Sequence, residues 1–490
     1  MPELNGVGGP LAGQAVLIGP QADLLQRTRA ALWHPCTQMK HLEQAPPLPI
    51  ARGEGPWLVD YDGRRYLDCI SSWWVNLFGH ANPRINAALI DQLGRIEHVI
   101  LAGCTHAPVV ELSERLSRLT GLSHAFYGSD GASATEIALK MSFHYWRNRG
   151  RPEKTDFISL QNGYHGETLG ALSVTDVALF KDTYAPLLRH THQMPSPDSR
   201  LAHPGESDEA CALRAAEALE AHLAQCADNT AALILEPLVQ GAAGMGMYHP
   251  VYLQRARALC DAYDVHLIAD EIAVGFGRTG TLFACEQAHP SSPPGRGAGG
   301  EGAAPVLPPL SDSAPSPSPG EGRGAVSEVA DFLCLSKGIT GGYLPLSCVL
   351  TTDRVYAAFY DDATARGFLH SHSYTGNPLA CRAALAVLDI FEADDVINAN
   401  RDRAARFTEL LAPVAAHPRV AHFRHRGMIW AFDVKDAGPG FGLAFHRRAL
   451  AQGLLLRPIG NTVYFMPPYV VGEEEMALMA RVVANLLDAG

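Results

Sequence analysis

The chain has 490 residues, of which 47% are hydrophobic and 18% are charged, with 39 Lys and Arg against 51 Asp and Glu. At roughly 100–200 residues per domain, this length predicts two to four structural units. The net charge of −12 and the pI near 5.9 argue against a surface that attracts nucleic acid or anionic lipid.

No apolar run approaches the roughly 18–20 residues that are needed to cross a bilayer. The N-terminal sequence lacks the basic start and apolar core of a secretory signal peptide. Ten cysteines are scattered without a Cys-x-x-Cys pair, which favours reduced thiols in the cytosol. Together these features predict a soluble, acidic, cytoplasmic enzyme.

Apolar strands that alternate with helical stretches indicate an α/β fold with a large, mostly parallel sheet. Near the N-terminus, the sequence WLVDYDGRRYLD predicts a strand–turn–strand unit with Asp62-Gly63 at the turn. The following stretches are predicted, in chain order: a helix over 133–146, strands over 156–160 and 231–235, a helix over 252–263, and strands over 265–269, 331–335 and 346–350.

Three regions are predicted from these patterns. Residues 1–68 form an N-terminal segment that joins a small domain, 69–393 form the large domain, and 394–490 form the small α+β domain. Within the large domain, 290–325 consist almost entirely of Pro, Gly, Ser and Ala. Such a composition cannot bury enough apolar area to offset its ordering entropy, so we expect a disordered surface insertion, with a regulatory linker as the alternative.

Residues suited to chemistry follow several of the predicted strands. Tyr164 follows the first of the large-domain strands, Asp270 comes directly after the third and Lys337 follows the fourth, while Gly131 and Ala132 precede the helix over 133–146. Because open α/β sheets bind ligands at the carboxyl ends of their strands, we expect these residues to converge on one edge.

The combination fits pyridoxal phosphate. The helix start offers N–H groups to a phosphate, and a carboxylate keeps the ring nitrogen protonated. The aromatic ring stacks on the cofactor, and the lysine amine forms a Schiff base with its aldehyde. Taken singly, each residue also fits a structural role: a surface lysine, a turn-capping aspartate, a packing tyrosine or an ordinary helix start.

Two other motifs offer weaker alternatives. The sequence from Gly275 to Gly280 matches G-x-G-x-x-G literally, but it neither follows a strand directly nor opens a convincing helix, as a dinucleotide site requires. His190 and His192 could form half of a metal site, but no Cys or acidic cluster accompanies them, and we expect no metal.

Several longer stretches resemble class III pyridoxal-phosphate aminotransferases of fold type I. The family-like stretches are ADEIAVGFGRTG at 269–280, SKG at 336–338, GYHGE at 163–167 and TGNPLAC at 375–381. Narrower resemblance, to family members that act in biotin synthesis, comes from WHPCTQM at 33–39, SSWWVNLFGH at 71–80, GCTHAP at 103–108, GMGMYHP at 244–250 and LRPIGNTVYFMPPY at 456–469. The resemblance runs from about residue 33 to the C-terminus, apart from the insertion.

The resemblance implies a role for each matching residue. Lys337 is the catalytic Schiff-base lysine and a substrate contact. The expected cofactor contacts are Gly131, Ala132, Tyr164, Asp270, Lys337, His372 and Ser373, with His372 and Ser373 reaching the phosphate of a partner subunit in a homodimer. The expected substrate contacts are Trp73, Tyr164, Lys337, Ser371 and Arg457, and Arg278 is expected to tune the choice of substrate.

The same resemblance implies S-adenosylmethionine as amino donor and 8-amino-7-oxononanoate as acceptor. The alternatives are lysine as donor to the same acceptor, an ω-amino-acid transaminase, or a non-catalytic regulator of the same fold, which the charge and the lack of a DNA-binding domain disfavour. Cys36 replaces a usual Tyr of the pocket, Ser129-Asp130 replaces Asp-Ser, and His372-Ser373 replaces Pro-Thr. None of these departures removes a group that the chemistry requires.

Overall fold

The structure is a computed structural model that describes residues 20–288 and 326–489. The predicted insertion, residues 290–325, and the first 19 residues of the predicted N-terminal segment lie outside the described residues. Within the described part of the chain, no helix is long and apolar enough to cross a membrane.

Strands and helices alternate through most of the described chain. In chain order the strands are β1 (Ile50–Glu54), β2 (Trp57–Asp60), β3 (Arg65–Asp68), β4 (His124–Gly128), β5 (Asp156–Leu160), β6 (His192–Met194), β7 (Thr230–Leu235), β8 (Val239–Gln240), β9 (Gly246–Met247), β10 (His266–Asp270), β11 (Phe332–Leu335), β12 (Ser347–Thr351), β13 (Val420–Arg426), β14 (Ile429–Val434), β15 (Leu454–Leu455) and β16 (Thr462–Phe465). The helices are α1 (Pro20–Ala31), α2 (Ser71–Trp74), α3 (Pro83–Leu93), α4 (Ala107–Thr120), α5 (Gly131–Asn148), α6 (Leu169–Val174), α7 (Ala178–Lys181), α8 (Asp208–Cys226), α9 (Val251–Ala262), α10 (Asp353–Ala357), α11 (Pro378–Ala393), α12 (Val396–Leu410), α13 (Ala412–Ala415), α14 (Phe441–Ala451) and α15 (Glu473–Asp488).

The large sheet has seven strands in the order β4-β12-β11-β10-β7-β5-β6. The pairs from β11 through to β6 are parallel, whereas β12 runs antiparallel to both of its neighbours. Alternate residues of β10 pack in two separate apolar clusters, with Ile268 on one face of the sheet and Leu267 and Ala269 on the other. The predicted α/β fold with a mostly parallel sheet is therefore confirmed.

The predicted strands and helices of this sheet region agree with the structure to within two residues at each end. Two edge strands, β4 and β6, were not predicted, because β4 carries His124 and β6 is only three residues long. The antiparallel direction of β12 is not predicted either, because an apolar run carries no information about strand direction.

A smaller sheet pairs a strand of the N-terminal segment with a strand of the C-terminal region. The predicted hairpin of β2 and β3 is confirmed, with Trp57 opposite Leu67, and β3 then pairs in parallel with β15, with Leu67 opposite Leu454. A third sheet, β13-β14-β16, is antiparallel throughout. The pairing of β3 with β15 supports the grouping of the N-terminal segment with residues 394–490, although the three domain boundaries stay predictions.

The turn between β13 and β14 packs against the segment that follows β10. Gly427, at the turn, has φ +55°, and a Cβ there would lie 2.3 Å from the backbone carbon of Thr279. The next residue, Met428, donates its N–H to the carbonyl of Arg278 at 2.8 Å. The hairpin and the segment thus meet backbone to backbone, and only a residue without a side chain fits between them.

We predict that Gly427→Ala lowers the free energy of unfolding by about 2 kcal/mol or more, because it adds both a steric clash and a left-handed backbone that Ala disfavours. Gly438→Ala is the matched control, since that glycine has no atom within 4 Å of its would-be Cβ. Thermal unfolding of both variants measures the difference. Equal midpoints would contradict the prediction.

Candidate active site

The predicted chemistry-bearing residues lie at one edge of the large sheet. Tyr164 is in the loop after β5, Asp270 is the last residue of β10, and Lys337 follows β11 after one intervening residue. Gly131 is the first residue of α5, in the turn that leaves β4. The structure therefore brings these groups together as the strand rule predicts.

Asp270 is the buried carboxylate of the site, with 3% of its surface exposed. Its Oδ2 lies 2.7 Å from Nδ1 of His165, and its Oδ1 accepts the N–H of Ile272 at 3.0 Å. His165 is buried as well, and its Nε2 has no hydrogen-bond partner among the described residues. These contacts fix the carboxylate at the strand end, where a pyridine nitrogen can pair with it.

His165 was not singled out from the sequence, although it lies inside the GYHGE stretch. Its neighbour Tyr164 looked like the functional residue of that loop because a ring can stack on a cofactor. The signal that would have identified His165 is its place beside Tyr164 after a buried strand, which puts it within reach of Asp270.

Lys337 is held close to the ring of Trp74, with Nζ 4.5 Å from the ring centroid. Burial lowers the pKa of Lys337 to about 8. The nearby carboxylates of Asp270 and Glu236 raise this pKa and so oppose part of the effect of burial. The residue has φ +46°, in the left-handed region. A lysine in this setting is partly neutral near physiological pH, as a nucleophilic amine must be.

Glu236 is a second buried carboxyl group that the sequence analysis missed. It follows β7 directly, so the rule applied to the other strand ends would have found it. It accepts the N–H groups of Tyr164 at 3.0 Å and of Gly241 at 2.9 Å. Burial raises the pKa of Glu236 to about 7, so its charge changes near neutral pH.

The start of α5 is shaped for close approach by a ligand. The Asp130 side chain accepts the N–H of Ser133 at 2.9 Å, while the N–H groups of Gly131 and Ala132, in the first helical turn, have no intrahelical acceptor. A Cβ on Gly131 would lie 2.9 Å from Cγ2 of Ile272. Free N–H groups at a helix start suit a phosphate.

The loop that carries Tyr164 packs tightly on this helix start. Gly166 has φ +122°, and a Cβ there would lie 2.6 Å from Cβ of Ala132. The Tyr164 hydroxyl donates to Glu167 at 2.9 Å. Free helix N–H groups, a tyrosine, a buried carboxylate and a lysine amine therefore lie at one edge of the sheet, and this set of groups fits pyridoxal phosphate.

His372 lies near the same helix start, with Nδ1 3.4 Å from the Ser129 hydroxyl. Its Nε2 lies 3.2 Å from Nε2 of His370. The flanking Ser371 and Ser373 are exposed. The expected contact of His372 and Ser373 with a partner's phosphate stays a prediction, as does the substrate contact of Ser371.

Arg457 lies at the outer end of the site, just after β15. Its guanidinium carbon is 4.8 Å from the ring centroid of Trp73, and it donates to the carbonyl of Cys36 at 3.1 Å. Trp73 is 42% exposed, whereas Trp74 is 5% exposed. Trp74 is therefore packed in the core and Trp73 lies at the surface, while the expected substrate contact of Trp73 stays a prediction.

Both tryptophans belong to an unusual turn. The four residues of α2, Ser71 to Trp74, all have positive φ, at 52°, 46°, 74° and 72°. This is a left-handed turn built without glycine, and such a conformation costs roughly 1–2 kcal/mol per residue. Strain of this kind persists only where the surrounding structure holds it.

The two weaker motifs have structural roles in the described chain. Arg278, inside the glycine motif, is 1% exposed and donates to the carbonyls of Pro467 and Asn76 at 2.8 and 3.1 Å. The rings of His190 and His192 contact each other, and His192 also contacts His222. Within the described residues, no group of three or more His, Cys, Asp and Glu side chains could hold a metal ion.

Comparisons with known proteins agree with this arrangement. A family profile described as aminotransferase class-III matches residues 38–294 and 325–487. The adenosylmethionine-8-amino-7-oxononanoate aminotransferase of Helicobacter pylori is 42% identical over 465 residues, which cover 93% of this chain and 96% of that protein. The chain belongs to the class III aminotransferase family.

Solved structures show the same fold. The adenosylmethionine-8-amino-7-oxononanoate aminotransferase of Methanocaldococcus jannaschii superposes with a TM-score of 0.83 at 32% identity, covering 95% of this chain and 99% of that chain. An amine transaminase from an uncultivated Pseudomonas species, solved in its PLP-bound form, superposes with a TM-score of 0.80 at 32% identity, covering 94% and 98%. The predicted fold type I, the aminotransferase class and the pyridoxal phosphate cofactor are confirmed.

We predict that the cofactor-free protein combines with pyridoxal phosphate faster as pH rises, with a midpoint near pH 8, because the neutral amine of Lys337 is the reactive form. Glu236→Gln removes a negative charge that raises this pKa, so the midpoint should move to lower pH. Stopped-flow growth of the visible absorbance band measures both rates.

The control for this experiment is Glu220→Gln, which changes an exposed carboxylate of α8 that pairs with Arg255. Its midpoint should equal that of the unaltered protein. An unmoved midpoint in Glu236→Gln, or a rate that does not change with pH, would contradict the assignment.

Proposed function

We propose that the protein transfers an amino group from S-adenosylmethionine to 8-amino-7-oxononanoate, giving 7,8-diaminononanoate in biotin biosynthesis. The relatives at 33–42% identity over most of their length bear the name of this enzyme. The observation that carries the proposal is the placement of Arg457 and Lys337 at the two tryptophans of one turn. An acceptor with a ketone near one end and a carboxylate at the other needs an amine at its reacting carbon and a cation at its carboxylate.

Pyridoxal phosphate, when bound, accepts the donor's amino group and later gives it to the acceptor. We propose that Gly131 and Ala132 hold its phosphate, Tyr164 its ring face and Asp270 its ring nitrogen. Lys337 binds the cofactor, takes the proton from the α-carbon of the donor and, in the second half of the cycle, delivers a proton to C7 of the acceptor. Because donor product leaves before acceptor enters, the kinetics are ping-pong.

Arg457 is proposed to bind the acceptor carboxylate with its planar guanidinium. The side chain is exposed and already held by Trp73 and the Cys36 carbonyl, so little freedom is lost when the carboxylate binds. Trp73, which is 42% exposed, offers apolar ring surface to the methylene chain between the two ends. Cys36 contributes only its carbonyl to the contact with Arg457.

A direct experiment identifies the amino donor. The visible absorbance band of the cofactor-loaded protein should disappear on addition of S-adenosylmethionine alone, and 8-amino-7-oxononanoate should restore it. Disappearance with lysine instead would move the protein to the lysine-using alternative. Disappearance only with ω-amino acids or simple amines would favour an ω-transaminase, which several similar solved structures are named as. Lys337→Ala should abolish every one of these changes.

Arg457→Lys should raise the KM for 8-amino-7-oxononanoate about tenfold or more, equivalent to roughly 1.4 kcal/mol, because a lysine keeps the charge but loses the two-pronged contact. The rate at which the donor alone removes the absorbance band should change much less, since the donor's reacting carbon lies at Lys337. Steady-state and single-turnover kinetics measure the two effects.

Arg447→Lys, an exposed change on α14, is the matched control and should leave both quantities unaltered. An Arg457→Lys variant with an unchanged acceptor KM would rule out the carboxylate role.

We also propose that the active unit is a cytoplasmic homodimer with shared active sites. Leu369 and Tyr374, which flank His372 and Ser373, are 78% and 65% exposed in the single chain. Large apolar side chains with this exposure are expected where a second subunit covers them. All ten cysteines are unpaired, and most are buried, which suits a reducing compartment. Light scattering of the purified protein tests the dimer.

A further inference from the structure

The left-handed turn at Ser71 to Trp74 is held at its start by a buried carboxylate. Asp68 has no exposed surface, and its Oδ1 accepts the N–H of Ser72 at 2.9 Å. Its Oδ2 accepts the hydroxyl of Ser72 at 2.7 Å and lies 3.1 Å from Nε2 of His80. Both oxygens are therefore engaged by residues of the turn or just after it.

The far end of the turn is held by a buried cation. Arg278 donates to the carbonyls of Asn76 at 3.1 Å and Trp74 at 3.5 Å, and it also donates to Pro467. In the described chain, no carboxylate lies within ion-pair distance of its guanidinium. The turn thus has an anion at its N–H end and a cation at its carbonyl end, matching the partial charges of a single helical turn.

The turn presents its two tryptophans to two different cations. Trp73 faces Arg457, and Trp74 faces Lys337 Nζ, with Nε1 of Trp74 donating to the Tyr464 hydroxyl at 3.1 Å. Because the two rings are on adjacent residues, the conformation of the turn fixes the spacing between the anchor for the acceptor's carboxylate and the amine at its reacting carbon.

We propose that Asp68 is a positioning residue that sets the length of acceptor the site takes, by holding the left-handed turn between Lys337 and Arg457. This inference rests on the proposed function. Asp68 touches neither cation, so it acts through Ser72 and the tryptophans. The donor need not reach Arg457, and its half of the reaction is therefore less sensitive to the turn.

Asp68→Asn should raise the apparent dissociation constant for 8-amino-7-oxononanoate about tenfold, while the rate with S-adenosylmethionine alone falls less than about threefold. It should also reduce discrimination against 7-amino-6-oxooctanoate, the acceptor homologue that is one methylene shorter. Single-turnover return of the absorbance band, at varied concentration of each acceptor, measures both.

Asp60→Asn is the matched control. Asp60 is also buried, with 2% of its surface exposed, and its carboxylate accepts the backbone N–H groups of Asp62 and Arg64 in the β2–β3 hairpin. It should lower thermal stability as Asp68→Asn does and leave acceptor discrimination unchanged. The near-ultraviolet circular dichroism of the tryptophans should change in Asp68→Asn and not in Asp60→Asn, with or without bound cofactor.

A rescue experiment separates positioning from direct action. Gly adopts left-handed backbone without steric cost, so Ser72→Gly added to Asp68→Asn should recover at least about threefold of the lost acceptor affinity. Ser72→Ala, which keeps the backbone contact to Asp68, should show a smaller loss in the same direction and serves if Asp68→Asn does not fold.

Unchanged acceptor binding in the folded Asp68→Asn variant, or in Ser72→Ala if the former is insoluble, would overturn the inference, as would an equal change in Asp60→Asn. Failure of the proposed function is a different result, because the unaltered protein would then not turn over 8-amino-7-oxononanoate at all.

Discussion

The site depends on a carboxylate buried at the end of the central strand β10. Burying a charge is costly unless it is paired and hydrogen-bonded. Asp270 meets this condition through His165 and the backbone of Ile272. Those two contacts tie the loop after β5 and the segment after β10 to one point, and Ile272 in turn packs against Gly131 at the helix start. The cofactor side of the site is therefore a set of backbone positions fixed around one charge.

The substrate side is assembled differently, from segments that are far apart in the chain. Cys36, Trp73 and Arg457 meet at its outer end, and none of them belongs to the large sheet. The cofactor side follows from the topology of parallel strands, which many enzymes share. The proposed substrate side depends instead on contacts particular to this chain, including a left-handed turn, so it is where a preference for one acceptor can reside.

How much of this could be predicted depends on whether a pattern is local. The buried strands are short apolar runs. Asp270 ends one of them and Lys337 lies two residues beyond another, so both the sheet and the core of the site could be predicted from the sequence. The reversed β12, the contact of His165 with Asp270 and the left-handed turn could not. Each depends on a partner distant in the sequence or on a backbone conformation that no residue type in Ser71 to Trp74 favours.

The parallel pairing of β3 with β15 has a consequence for how the protein matures during synthesis. Leu67 pairs with Leu454, near opposite ends of the chain. On the ribosome the N-terminal part emerges first, and the large sheet can be completed while the last hundred residues are still inside or unmade. The partner strand of β3 and the guanidinium beside Trp73 arrive only at the end. The segments of the proposed acceptor site are therefore completed only after every strand of the large sheet has been made.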